Sequence, residues 1–192
     1  MLMLVFDQAS FNILESTNCY FTMKKVTLVF LIGCFMSINI QSQTNSNSPC
    51  SSQEYSQFDF WIGEWEVTNP NGSKAGENKI EKIQGECVLK ENWTSATPGY
   101  TGTSYNFYNA AKKQWEQIWV DNQGGNLHLK GHRKGNQMIL RTDDLINQEG
   151  KSFYHQITWT ANEDGTVRQY WETFTEGADV SVAFDGLYKR KE

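Results

Sequence analysis

The sequence predicts an all-β domain, in the form of an antiparallel meander barrel of about ten strands. Segments rich in Val, Ile, Thr and aromatic residues recur roughly every eight to twelve residues, with turn signals between them. No segment after Trp61 has a convincing helical pattern. Closing the meander into a barrel removes two exposed sheet edges. A flattened sandwich with a filled core fits the same pattern, so this alternative stays open.

Clusters of Gly, Asn, Asp and Pro separate the predicted strands. These residues accept the backbone angles of tight turns. The turn signals lie at residues 69–72, 122–125, 134–136, 162–165 and 176–179. The clearest strands are predicted over 114–121, 151–160, 166–174 and 180–190. In the last of these strands, alternation places on one face Val180, Val182, Phe184, Gly186 and Tyr188.

The N-terminal part of the chain has the features of an export signal that begins at Met23. Two lysines follow this methionine, and an apolar run over 26–40 then leads to Ser42 in a polar context. A basic start, a short apolar stretch and a small residue before the cut predict a signal peptide over 23–42. The apolar run is too short for a comfortable membrane span, so we predict a periplasmic or secreted protein with no stable membrane span.

Alternatives remain at the N-terminus. We interpret residues 1–22 as lying upstream of the true start, although a genuine N-terminal extension also fits. The segment that ends in Cys34 resembles a bacterial lipobox, in which the cysteine is lipidated. Residues 43–57 are rich in Ser, Asn and Gln and predict a disordered tether. The barrel domain is predicted over 58–192.

Two cysteines remain after cleavage at Ser42. Cys50 lies in the predicted tether, and Cys87 lies in an apolar strand pattern. Two cysteines in an oxidising compartment can pair, but a free buried cysteine is also an ordinary core residue. The sequence leaves the pairing open.

Charge and motifs narrow the functional classes. The net charge is -5 at pH 7, and Lys and Arg are scattered among Asp and Glu. Without a basic stripe, nucleic acid is not predicted as a partner. The sequence lacks a nucleophile elbow, a phosphate-binding glycine loop and a zinc-protease motif, so no catalytic residue is assigned.

A series of aromatic motifs covers nearly the whole predicted domain. The motifs are Phe58-Asp59-Phe60-Trp61-x-Gly63-x-Trp65, the hairpin over 78–93, Trp115-x-Gln117-x-Trp119-Val120-Asp121, Ile157-Thr158-Trp159, Val167-Arg168-Gln169-x-Trp171-Glu172 and Phe184-Asp185-Gly186-x-Tyr188. Together they resemble a widespread bacterial family of exported or cytoplasmic proteins with lipocalin-like, or calycin-like, barrels and no assigned activity. The resemblance implies the barrel fold and a structural role for Trp61, Gly63 and Trp65, where a tryptophan plugs the closed end.

Calycin relatives mostly carry small apolar molecules, and the nitrobindin-like branch holds haem through a histidine. None of the three histidines of this chain matches that ligand motif. The resemblance therefore implies a small-molecule ligand and no cofactor.

Several predicted strands carry glutamine or histidine among aromatic residues on one face. A few polar groups that converge in an aromatic cavity can orient a small ligand. The predicted ligand-binding residues are Gln117, Trp119, His155, Trp159, Gln169 and Trp171. The two mid-strand rings Trp119 and Trp159 are expected in the cavity wall. The polar members of this set could equally pair with each other in a packed core.

No metal site is predicted. His128 and His132 fall in a strand pattern, which places them roughly 13 Å apart at about 3.3 Å per residue, too far to share one ion.

The leading expectation is an exported barrel that binds a small apolar or amphipathic molecule in its interior. One alternative is an enzyme that uses the cavity for acid/base chemistry, with Asp121, Glu172 and His155 as candidate groups. Another is a structural or interaction module with a filled core and an exposed apolar patch. The sequence does not fix the ligand, the oligomeric state or which strand faces point inward.

Overall fold

The computed structural model describes residues 49–192, which contain eleven β-strands and two short 3-10 helices. The helices span Gln53–Ser56 and Asp59–Trp61. The strands are β1 Gly63–Thr68, β2 Lys74–Ile83, β3 Val88–Ser95, β4 Thr101–Asn109, β5 Gln114–Asp121, β6 Asn126–Lys134, β7 Gln137–Arg141, β8 Leu145–Ile146, β9 Ser152–Ala161, β10 Val167–Thr175 and β11 Ser181–Arg190.

Ten of these strands form a closed antiparallel barrel. Each strand from β1 to β6 pairs with the next, and β7 pairs with β9. Pairing of β9 with β10, β10 with β11 and β11 with β1 completes the circuit. The short strand β8 pairs only with the first residues of β9. The predicted antiparallel meander barrel is confirmed, and its closure satisfies backbone groups that a sheet edge would expose.

The predicted turn clusters lie between neighbouring barrel strands. In the β5–β6 turn, Asp121 Oδ1 accepts hydrogen bonds from the backbone N–H groups of Gln123 at 2.9 Å and Gly125 at 2.8 Å. Gly124 in the same turn has a φ of 87°, a left-handed conformation that favours glycine. The turn residues therefore fix where each hairpin reverses.

Residues ahead of Phe58, the predicted start of the domain, also take part in the fold. Cys50 forms a disulfide with Cys87, and their Cα atoms lie 5.1 Å apart. Residues 53–56 form a 3-10 helix, so the disordered tether predicted through residue 57 is wrong for residues 49–57. Composition misses this because the partners of the segment are distant in the sequence: the disulfide to Cys87, the Tyr55 ring against Tyr108 and the hydrogen bond from Trp115 Nε1 to Gln57. Cys87 itself lies in the β2–β3 turn and not within a strand.

Other predictions for the N-terminal part concern residues outside the described range. These are the extension over 1–22, the signal peptide over 23–42, the lipobox at Cys34 and the first part of the tether, over 43–48. Across residues 49–192, no helix has the length and apolar character needed to cross a membrane.

An aromatic core fills one end of the barrel, which we call the closed end. Phe58 and Trp61 are fully buried, with ring centroids 5.0 Å apart, and both contact Trp159, at 5.2 and 5.4 Å. The indole N–H of Trp65 donates to the backbone oxygen of Trp61 at 2.9 Å. The Arg190 guanidinium lies over the Trp65 ring, 4.5 Å from its centroid. The first residues of the domain thus form the base of the barrel.

Gly63 lies where the last strand crosses the first. Its φ is 146°, and a Cβ atom at this position would lie 2.4 Å from a guanidinium nitrogen of Arg190. Any larger residue would displace Arg190 from the Trp65 ring, which gives the Gly-x-Trp motif its spatial reason.

A β-bulge changes which side chains of β11 point inward. The register between β10 and β11 shifts after Trp171, so that Ala183 is an extra residue on β11. Phe184 still packs against the core, but Val180 and Val182 are exposed. The predicted single face that joins these valines to Phe184 is therefore wrong, because a one-residue shift moves side chains to the other face.

Candidate functional site

The half of the barrel opposite the closed end, which we call the open end, contains a cavity of about 450 Å³. Volumes of this order are typical of small-molecule sites. Several aromatic side chains line it and form what we call the aromatic wall: Trp93, Tyr100, Trp119, Trp171 and Phe184. The interior of the barrel is therefore not completely filled.

The bottom of the cavity is polar and centres on Glu91 of β3. This residue is 4% exposed, and alternation along β3 places it on the inward face between Leu89 and Trp93. Each carboxylate oxygen accepts one hydrogen bond, from Asn78 Nδ2 to Oε1 at 2.6 Å and from Ser104 Oγ to Oε2 at 2.6 Å. The cavity thus contains a buried carboxyl group.

One chain of hydrogen bonds connects Glu91 to the cavity wall on β5. Gln117 Nε2 donates to Asn106 Oδ1 at 2.7 Å, and Asn106 Nδ2 donates to Ser104 Oγ at 2.8 Å. Ser104 in turn donates to Glu91. Every donor in this chain is directed towards the carboxylate, which stabilises the ionised form.

A second chain runs from Glu91 to β11 and β10. Asn78 Nδ2 also donates to the hydroxyl of Tyr188 at 3.3 Å, and this hydroxyl donates to Gln169 Oε1. The residues joined by the two chains form what we call the polar floor: Asn78, Glu91, Ser104, Asn106, Gln117, Gln169 and Tyr188.

Burial raises the pKa of Glu91 to about 7, although the hydrogen bonds from Ser104 and Asn78 lower it. At neutral pH this carboxyl group is therefore divided between its protonated and ionised forms. Burial, and then the charge of Glu91, raise the pKa of Tyr188 well above its ordinary value, so Tyr188 remains a neutral phenol.

Among the described residues that line the cavity, the only basic side chain is Lys74. It lies next to the β1–β2 turn at the open end of the barrel, and its ammonium binds Glu77 Oε1 at 2.6 Å. The polar floor itself holds a carboxylate and no cation.

Four of the predicted ligand-binding residues line the cavity: Gln117, Trp119, Gln169 and Trp171. Trp159 does not line it. Its ring is fully buried in the closed-end core, where it packs against Phe58 and Trp61.

His155 also lies outside the cavity lining. It shares the inward face of β9 but sits two residues nearer the open end than Ile157. Its Nδ1 lies 2.9 Å from Thr173 Oγ1, and its ring meets the Trp171 ring edge to face, with centroids 5.4 Å apart. Burial lowers its pKa, so it packs as a neutral imidazole behind the aromatic wall.

Sequence patterns do not predict most residues of the polar floor. The missed residues are Asn78, Glu91, Ser104, Asn106 and Tyr188. The sequence does contain a signal for Glu91. In a strand, where side chains alternate between two faces, Glu91 shares a face with the apolar residues Leu89 and Trp93. A carboxylate in such a position is usually assigned to the solvent face, because an unpaired buried charge is costly.

The three groups considered for acid/base chemistry do not line the cavity. Asp121 is committed to the β5–β6 turn, whose backbone N–H groups lower its pKa. Glu172 lies on the face of β10 opposite Trp171. His128 and His132 both lie on strand β6. Within residues 49–192, no group of three or more His, Cys, Asp or Glu is placed to hold a metal ion.

No protein-family model and no curated protein matches the chain. The aromatic wall and the polar floor are the features on which a functional proposal is based.

Proposed function

We propose that this protein is an exported carrier that binds a small amphipathic molecule inside its barrel. The observation that carries the proposal is the cavity of about 450 Å³, which has an aromatic wall above a polar floor. Aromatic rings bury an apolar body, and a few polar groups fix its orientation. A purely apolar ligand would leave the free hydrogen-bonding atoms of Glu91 and Gln169 without partners, which is costly.

Gln169 supports the amphipathic assignment. Its Oε1 accepts the hydrogen bond of the Tyr188 hydroxyl. The orientation of its side-chain amide is thereby fixed, and its amino group remains for a ligand in the cavity that Gln169 lines. A ligand with a polar end directed at the floor would use this donor.

The proposed location is supported by two features, and the proposed family by a third. The Cys50–Cys87 disulfide is typical of an oxidising compartment, and residues 23–42 have the pattern of a signal peptide. The closed barrel with Gly63 and Trp65 at its base supports membership of the lipocalin-like family. Intact mass of the mature protein tests the location: a chain that starts at Gln43 supports secretion, whereas a lipid-modified Cys34 contradicts it.

Native mass spectrometry of the protein purified gently from its own host tests the carrier function. A stoichiometric small-molecule adduct supports the proposal and identifies the ligand class. If the protein is consistently free of ligand and also fails to bind the neutral fluorophore N-phenyl-1-naphthylamine, the carrier function is contradicted.

Replacing Ser95 with tryptophan is expected to weaken N-phenyl-1-naphthylamine binding by about tenfold or more, because overfilling a confined space costs about 1–3 kcal/mol. Ser95 lines the cavity on the inward face of β3. Fluorescence titration of the purified variant measures the change in Kd.

The matched control is Thr94→Trp, which adds the same ring on the same strand. Thr94 is exposed and lies on the outward face. Its substitution should leave the Kd unchanged. Equal Kd values for the two variants would show that the probe binds outside the barrel.

Acid/base catalysis is the second candidate function, because a cavity carboxyl group with a pKa of about 7 suits a general acid or base. NMR spectra of the co-purified ligand, recorded during incubation with the protein, distinguish the two. A carrier leaves the ligand unchanged, whereas an enzyme converts it at a rate that falls in Glu91→Gln. The interaction-module alternative requires a filled core, which the cavity does not match.

A further inference from the structure

We infer that the ligand carries a protonated amine, and that this group binds the Glu91 carboxylate at the polar floor. The inference rests on the proposed function and specifies its ligand. It follows from two things that the polar floor lacks: a positive charge and enough hydrogen-bond donors for its acceptors.

The first observation is a buried carboxylate without a counter-charge. Buried charges in proteins are normally paired, since desolvating a lone ion is expensive. Glu91 receives two neutral donors, from Asn78 and Ser104. The one basic side chain among the described lining residues, Lys74, binds Glu77 at 2.6 Å and lies 3.8 Å from Glu66. When Glu91 is ionised, a cationic group on the ligand would supply the missing positive charge.

The second observation is a shortage of donors in the floor. A carboxylate can accept about four hydrogen bonds, and Glu91 receives two. Asn78 Oδ1 is buried and has no hydrogen-bond partner among the described residues. Gln117 directs its Nε2 at Asn106 and Ser104, at 2.7 and 3.4 Å, so its oxygen is the atom left for the cavity. An ammonium group brings three donors for the free acceptor sites of Glu91 and Gln117. An acceptor elsewhere on the ligand can take the hydrogen bond that the Gln169 amino group offers.

The third observation is the aromatic wall. Tryptophan faces attract cations, and the lining includes Trp93, Trp119 and Trp171. A cationic headgroup can therefore bind among these rings, and the apolar body of the ligand can pack on them. A carboxylate ligand would meet the like charge of Glu91, which is unfavourable.

The uncharged surroundings of Glu91 make its ionisation the factor that controls amine binding. The side chains that contact it are Asn78 from β2 and Ser104 from β4, and Tyr188 from β11 is a neutral phenol. Protonation of Glu91 below pH 7 should therefore release a bound cation, while an uncharged ligand should stay.

A matched series of ligands tests the inference. Tryptamine, tryptophol and indole-3-propionate share an indole and end in an ammonium, a hydroxyl and a carboxylate. Displacement of N-phenyl-1-naphthylamine at pH 8 should give tryptamine a Kd at least about tenfold lower than tryptophol, as expected for a hydrogen bond between charged groups. Indole-3-propionate should bind most weakly. Between pH 8 and pH 6 the tryptamine Kd should rise about tenfold, because most of the Glu91 population becomes protonated, and the tryptophol Kd should not change.

Substitution of Glu91 locates the effect. Glu91→Gln is expected to abolish both the preference for tryptamine and its pH dependence, while the probe and tryptophol still bind. The matched control is Glu116→Gln, since Glu116 is also 4% exposed but lies on the outward face of β5. This control should behave like the wild type. If Glu91→Gln does not fold, the pH series on the wild-type protein still decides the matter.

The outcomes separate the two proposals. If the probe binds in the cavity but tryptamine has no advantage over tryptophol, or does not displace the probe, the amine inference is overturned and the carrier function stands. If the probe does not bind and no ligand co-purifies, the carrier function fails first.

Discussion

Removal of the disulfide by Cys50→Ala and Cys87→Ala is expected to lower the free energy of unfolding by about 3–4 kcal/mol. The bond closes a loop with a sequence separation of 37 residues, and a cross-link of this length restricts the unfolded chain considerably. Urea unfolding followed by tryptophan fluorescence measures the change, because Trp61 and Trp65 are buried within the cross-linked part of the domain.

Chemical reduction provides the control for the disulfide. Dithiothreitol should destabilise the wild-type protein to the level of the double variant and should leave the variant itself unchanged. A variant within about 0.5 kcal/mol of the oxidised wild type would mean that the bond contributes little, as for an ordinary surface substitution.

The second large effect concerns Glu91 and pH. The contribution of Glu91 to the free energy of unfolding is expected to fall by roughly 2–3 kcal/mol as the pH rises from about 5 to about 8. The pKa of Glu91 is about 7 in the folded protein, above its ordinary value of 4.5. The folded state therefore binds this proton more tightly than the unfolded chain. The stabilisation is complete below the unfolded value and is lost as the pH rises through 7.

Glu91→Gln should remove this contribution to the pH dependence, because the amide does not titrate. Glu116→Gln is the control: the pKa of Glu116 is lowered to about 2, so its contribution to stability is constant between pH 5 and pH 8. Urea unfolding at a series of pH values measures both. An unchanged slope in Glu91→Gln would show that Glu91 is ionised throughout this range.

The fold could be predicted from the sequence because the turn and strand residues that specify each hairpin are adjacent in the chain. The turn residues at 122–125 set the β5–β6 reversal, and strand β5 occupies the predicted residues Gln114–Asp121. Long-range features could not be predicted in the same way. The bulge at Ala183 depends on the pairing of two strands, and the fold of residues 49–57 depends on partners distant in sequence, among them the disulfide to Cys87.

The site could be predicted only in part, for a physical reason. Gln117 and Gln169 were recognisable because polar groups stand out among tryptophans on one strand face. Glu91 was not, since a carboxylate in a strand is ordinarily exposed, and its burial depends on donors from β2 and β4 that no local pattern brings together. Trp159 and Trp119 have similar sequence surroundings, and only the depth of each in the barrel separates core from cavity wall.

The position of the Cys50–Cys87 bond also determines how the domain would respond to mechanical force. Tension applied to the chain ahead of Cys50 passes through the sulfur atoms to the β2–β3 turn and bypasses residues 51–86. The aromatic base formed by Phe58, Trp61 and Trp65 lies in this bypassed segment and carries no direct load. Pulling on the N-terminus would therefore load the barrel first at the β2–β3 turn, which lies at the closed end, and not through the residues that plug this end.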